Sequence, residues 1–279
     1  VARTPGTFLL AGAAAVAMAT ASIQSAPTAN ATCASFFGIG NSANCQSNLT
    51  SIAIAIGTNA QALAPGYFGA AFSVGTDAVT LAPGLFGIAA AVGDNTGAVA
   101  NGVFGISGAF GNYAQSSAGG QGLNIALNLT PGTTVSGGSK VGAIGFGNIA
   151  VNLFGSGTTF EANQALATGI ANTAIDLGGN DTIVWAGGGT GVLNGALNVG
   201  GNDNFVAAGP GPVSIAVSIL QNSQGVTKSG PGFNINGFTV GGAAATGRDT
   251  PHRSATPSAA SDNGDGPRST GSSARGRRG

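Results

Sequence analysis

Charge is what this chain most lacks. Only 6% of its 279 residues are Asp, Glu, Lys or Arg, and the formal net charge is zero. Between residues 32 and 247 the cations are Lys140 and Lys228 and the acids are Asp77, Asp94, Glu161, Asp176, Asp181 and Asp203, a net −4. A body with no basic stripe cannot hold a row of phosphates, so nucleic-acid binding by it is not expected. The single histidine, His252, lies in the C-terminal tail, and the body has no arginine. A nucleophilic triad there would lack its imidazole base. Large side chains are scarce as well. Apolar residues reach 43%, but alanine supplies much of that, and there are 51 glycines without a Gly-X-Y period. The missing period excludes collagen. Low charge with high apolar content opposes disorder. Small units stacked regularly would reconcile these facts.

The N-terminus reads as an export signal. Arg3 precedes an uncharged, alanine-rich run over residues 8–23, and Ala29-Asn30-Ala31 offers a small-x-small cleavage site. The competing reading is a membrane anchor, but a span needs roughly 20 apolar residues. Residues 1–31 are therefore assigned to a cleaved signal peptide. The two cysteines, Cys33 and Cys45, come directly after it. In an exported chain such a pair forms a disulfide, here pinning an N-terminal cap over residues 32–50. The stabilisation expected is on the order of 3 kcal/mol.

An internal repeat organises the chain beyond the cap. Gly57, Gly75, Gly93 and Gly111 are spaced by 18, as are Phe68, Phe86 and Phe104. Residues 52–69 read IAIAIGTNAQALAPGYFG, and residues 70–87 read AAFSVGTDAVTLAPGLFG. Alternation at 52–56 means a strand. Gly57-Thr58-Asn59, Pro65-Gly66 and Phe68-Gly69 mark corners. The fold class expected is all-β: a parallel β-solenoid, of β-roll or β-helix type, with 18-residue coils over residues 51–246. Stacked in register at ~4.8 Å per coil, roughly ten coils would make a rod ~45–50 Å long. The expected repeat core is an inward ladder of Ile56, Val74, Val92 and Phe110, with an aromatic ladder of Phe68, Phe86 and Phe104. Ala53, Ala71 and Ala89 would then form a flat outer face. Residues 177–184 (LGGNDTIV) and 199–206 (VGGNDNFV) match at a spacing of 22, which fits a coil with a four-residue insertion. From residue 247 to 279 Ser, Pro, Gly and Arg dominate, giving a disordered basic tail.

Few constellations offer chemistry. Gly178-Gly179-Asn180-Asp181 and Gly200-Gly201-Asn202-Asp203 resemble half of the calcium-binding repeat of RTX proteins, which makes Asp181 and Asp203 candidate metal ligands. The alternative is a pair of tight turns capped by their own Asn and Asp. No other cofactor is expected. Asn48-Leu49-Thr50 and Asn128-Leu129-Thr130 are glycosylation sequons in a suitable host, and Trp185 is either a sugar platform or a core or rim filler. A row of aligned threonines would order water on a flat face, but Thr58 and Thr76 make a very short row.

Residues 52–62, IAIAIGTNAQA, resemble the head repeats of trimeric autotransporter adhesins over the first coils. The Gly/Ala/Asn-rich chain as a whole is similar in style to secreted mycobacterial repeat proteins. These resemblances imply a cell-envelope or released protein that interacts with a surface component or with itself. The expected function is structural or adhesive, without catalysis, acting through flat solenoid faces. The alternatives are a carbohydrate-active enzyme on a β-helix and a calcium-binding exported module.

Overall fold

Short apolar–small alternations, each closed by a glycine turn, build strands that lie one above another. The computed structural model describes residues 32–40, 42–130, 138–155, 157, 163–241 and 244–247. The expected signal peptide lies outside the described residues, and so does the expected tail apart from Gly247. The described residues form a parallel β-solenoid with two sheets, one of 13 strands and one of 11, and no helix. Each coil contributes one strand to each sheet. The first coil gives Ile52–Ile56 to the first sheet and Gln61–Ala64 to the second.

Register follows the repeat. Ile52, Ala70, Ile88 and Ile106 pair in series, then Ile125, Ile149, Thr173, Gly195, Ile215 and Phe233. The 18-residue coil therefore lengthens in the middle and shortens again at the end. The longest coils separate Ile125, Ile149 and Thr173 by 24 residues each. The 22-residue step between the two Gly-Gly-Asn-Asp segments is one such coil, and Asn180 bridges Asn202 across it. Two connections suffice per coil. Pro65 to Gly69 makes one turn rather than two corners. The other turn starts at Gly57, where φ is 129° and a Cβ would stand 2.0 Å from the carbonyl oxygen of Gly75. Glycine is required there both by conformation and by the next coil. Asn59, Asp77 and Asn95 then take φ of 54–56°, a region that short polar side chains tolerate.

The inside of the solenoid is lined with methyl groups. Ala53, Ala71 and Ala89 stack in register and are fully buried, as are Ala55 and Ala91 beside them. On the second sheet Ala118, Ala143, Ala167, Ala186 and Ala208 form one column. The expected repeat core is therefore inverted. Ile56, Val74, Val92 and Phe110 do form a ladder, but on the outer side of the first sheet, half exposed. Phe68, Phe86 and Phe104 do stack, at 5.2 and 4.9 Å between rings, but at an outer corner, where they are 58, 39 and 46% exposed. Alternation tells which residues share a face. It does not tell which face is inside, and an 18-residue coil folded into two strands encloses room for small side chains only.

Antiparallel strands cover the first sheet at both ends and the second sheet at its far end, while Cys45–Ser47 is the open edge of the second sheet at the near end. Thr32–Phe36 lies antiparallel on the first coil, with Ile39–Gly40 beyond it. At the far end Phe238–Val240 turns back on Gly232–Ile235, and Ala244–Gly247 runs antiparallel to Gly225–Lys228. Cys33 and Cys45 form a disulfide with 5.6 Å between Cα atoms. It ties Thr32–Phe36 of the first sheet to Cys45–Ser47 of the second, and both cysteines are buried in the interior.

Stability measurements should report which face is inside. Ala91→Leu overfills the interior and should cost about 1–3 kcal/mol or more in urea titration, while Val92→Ala beside it, losing a half-exposed side chain, should cost about 1 kcal/mol or less. Equal or reversed effects would mean that the faces are the other way round. Cys45→Ser should lower stability by about 3 kcal/mol and expose the first coil's amides to hydrogen exchange.

Candidate functional site: the outer face of the first sheet

Because alanine occupies the interior, the large apolar residues of the first sheet all face out. They form three columns along the rod. The central one runs Ile54, Phe72, Ala90, Gly108, Leu127, Val151, Ile175, Leu197, Val217 and Ile235. A second begins with Ile52 and includes Ile88, Ile106, Ile125, Ile149 and Ile215. The third continues from Ile56 through Leu129, Leu153, Leu177, Val199 and Ile219. Over the ten parallel strands the one outward polar side chain among the described residues is Thr173. No charge interrupts the face. At Gly108, where the column loses its side chain, the Phe110 ring and Leu127 crowd in, within about 3 Å of where a Cβ would stand.

The two long edges of this face differ. Along the edge that starts at Gly57, polar turn residues bond from coil to coil. Asn59 Nδ2 donates to Asp77 Oδ1 at 3.1 Å, Thr76 N to Asp94 Oδ1 at 3.0 Å, and Asp94 N to Asn112 Oδ1 at 3.1 Å. Along the other edge run Phe68, Phe86 and Phe104, continued by exposed Leu123, Phe146, Ile170, Leu193 and Val213. The outer side of the second sheet is more mixed. Gln61, Gln115, Lys140, Gln164 and Ser117 are interspersed there with Leu63, Leu81 and Trp185.

Polar ladders run inside the later coils. Asn124, Asn148, Asn172 and Asn194 lie one per coil. Each Oδ1 accepts the backbone N–H of the next residue in the row, at 3.1, 2.9 and 2.8 Å, ending on Ser214 N at 2.9 Å. The Nδ2 groups cap carbonyls, as Asn148 does with Ile144 at 2.9 Å and Gly169 at 2.7 Å. Asn128, Asn152, Asp176, Asn198 and Ser218 form a second buried row. Asp176 stands where an asparagine would fit. Its Oδ1 accepts from Asn198 Nδ2 at 2.8 Å, and its Oδ2 meets Thr182 Oγ1. Thr182 Oγ1 also reaches Asn163 Oδ1 at 2.9 Å, while Asn163 Nδ2 donates to Gly179 O. One hydroxyl proton cannot serve two acceptors. The Thr182 hydroxyl therefore donates to one of Asp176 Oδ2 and Asn163 Oδ1 at a time. Burial pushes the Asp176 carboxyl above its usual range, and hydrogen bonds from Thr182, Asn198 and the Gly179 backbone pull against that rise.

The remaining sequence candidates lie off the columns of this face, with the Asp181 and Asp203 turns continuing its polar edge. Asp181 and Asp203 sit one coil apart in matching turns, with φ of 52° and 54°. Short polar side chains tolerate that conformation, and among the described residues no three or more His, Cys, Asp or Glu come together. Asn128 is fully buried and donates to Gln115 O and Ser139 O, so its sequon is closed to modification in the folded chain. Trp185 lies half-buried on the second sheet between Leu166 and Ala207. His252 lies outside the described residues.

The asparagine rows are invisible to an 18-residue period. Their signal is plain once the period is allowed to drift: NIALNL at 124–129, NIAVNL at 148–153, NTAIDL at 172–177 and NGALNV at 194–199. No family model matches the chain, and no curated protein or solved structure is significantly similar to it.

The raised pKa of Asp176 gives a signed expectation. A folded-state pKa above the unfolded value of about 3.9 means the folded chain holds the proton more tightly, so stability is fullest below about pH 4 and declines as pH rises through the folded value. Urea midpoints from acid to neutral pH should show this decline, and Asp176→Asn should flatten it and be the more stable chain at neutral pH. An Asn variant less stable than the parent at neutral pH would show that the carboxylate is ionised in the fold.

Proposed function

We propose that this chain is an exported structural or adhesive solenoid, envelope-associated or released, that docks through the outer face of its first sheet and has no catalytic role. The single observation that carries this reading is the face itself: three apolar columns over ten strands with Thr173 as their one polar member among the described residues. Contiguous apolar surface of this extent on a folded protein marks an interaction site. A buried disulfide is weakly consistent with an oxidising, extracytoplasmic compartment, and the signal-like residues 1–31 agree with export. The likeness of residues 52–62 to adhesin head repeats and the glycine-rich style of the chain point to the same class.

The rival reading is a carbohydrate-active enzyme. Its best location is a shallow open depression on the second-sheet side, lined by Asp77, Asn95, Thr96, Gly97, Tyr113 and Gln115. Asp77 is the sole acid there, whereas glycoside hydrolysis ordinarily needs a pair of carboxylates.

Adsorption of the full chain to methyl-terminated and hydroxyl-terminated surfaces tests the proposal. The chain should prefer the methyl surface, and Leu197→Lys should weaken that binding about tenfold or more, since one buried Leu contributes about 1.5–3 kcal/mol. Equal binding of parent and variant would sink the reading. Release of reducing sugar from a polysaccharide, lost in Asp77→Asn, would establish the rival instead.

A further inference from the structure

We infer that the partner of this face is a second copy of the same chain, two solenoids packing first sheet against first sheet about a two-fold axis. The inference rests on the docking face proposed above and adds its occupant. Area is the first argument. Ten strands at ~4.8 Å and five residues at ~3.3 Å describe a face about 45 Å by about 16 Å. Two such faces bury about 1,400 Å², which falls in the range of a specific protein–protein interface.

Shape is the second argument. The strands are parallel and in register coil after coil, so equivalent Ile, Val and Leu side chains line up in rows with grooves between them. Sheets that pack face to face interdigitate such rows about 10 Å apart. The face is therefore built like the inner side of a β-sandwich whose other half is missing from the monomer.

Closure is the third argument. The strands left at the ends of the rod are short ones: Ile39–Gly40 and Cys45–Ser47 at one end, Phe238–Val240 and Ala244–Gly247 at the other. End-to-end growth by strand addition is thereby discouraged. The unmatched surface lies on one side, which favours a closed pair over a fibre.

Charge argues for a copy of this chain over a lipid surface. The acids Asp77 and Asp94 lie along one edge of the face, whereas Lys140 belongs to the opposite sheet and Lys228 is buried. No cation borders the face among the described residues to hold an anionic headgroup. In a face-to-face pair the acidic edges remain at the solvated rim.

Sedimentation equilibrium of the full, disulfide-intact chain at about 10 µM, the weak end of the range for interfaces of this class, should give twice the chain mass. Ile175→Lys, whose side chain points outward, should weaken association at least tenfold while keeping a cooperative thermal melt, and Leu166→Lys on the opposite sheet should leave it unchanged. Val151→Cys, near the middle of the face and conservative enough to fold, should cross-link between copies with a short bismaleimide, and Leu166→Cys should not. A dimer that survives Ile175→Lys and fails to cross-link at Val151→Cys overturns the inference. A monomeric parent that floats with neutral phosphatidylcholine vesicles overturns it too, but leaves the docking face standing. A monomer that binds neither vesicles nor a methyl surface removes both readings.

Discussion

Everything in this solenoid depends on how little room lies between its two sheets. Each coil is only two strands and two turns, so the side chains that meet across the middle belong to the same short loop of backbone. Methyl groups fit; isobutyl groups and phenyl rings do not. Ala53, Ala55, Ala62 and Ala64 fill the first coil and are fully buried. Cohesion therefore comes less from bulky core packing than from backbone hydrogen bonds running coil to coil, with each small side chain lying over its equivalent. The same restriction has a consequence at the surface. Ile, Val, Leu and Phe must go somewhere, and the alternation of the strand sends them outward.

Halfway along the rod the interior changes its chemistry. From Asn124 onward, asparagine replaces glycine in one row and alanine or serine in the other, and the coil lengthens to 24 residues. A longer coil has more turn backbone to satisfy, and the Asn amides do it, donating to turn carbonyls such as Ile144, Thr168, Gly169 and Gly191. The row from Asn124 to Asn194 is tolerable in the interior because each of its amides has partners. In the second row Asp176 takes the place of an asparagine, and burial pushes its carboxyl above the usual range. Lys228 ends the alanine column of the second sheet in the last parallel coil, fully buried and with no hydrogen-bond partner for its Nζ among the described residues. The structure offers no physical account of it.

The candidate face and the fold were legible to different degrees. The 18-residue spacing of Gly57, Gly75, Gly93 and Gly111 betrays the parallel stacking, because a position that tolerates no Cβ in one coil tolerates none in the next. The disulfide was legible from two cysteines alone. The ladders Ile56–Val74–Val92 and Phe68–Phe86–Phe104 were legible as ladders, but their side was not. Large apolar residues are usually inside, and that habit pointed them the wrong way. The asparagine rows are written in the sequence at steps of 24, 24 and 22 residues, a drift that a fixed period hides.

The amino-acid sequence by itself determined the period, the turn positions, the in-register pairing and the identity of residues sharing a side, since all of these follow from local alternation and from glycine's unique reach into left-handed and crowded backbone. Only the tertiary structure decided which side is the interior. That choice depends on the distance between two sheets, which no local pattern encodes, and it is this distance that turned an expected core into an exposed apolar face.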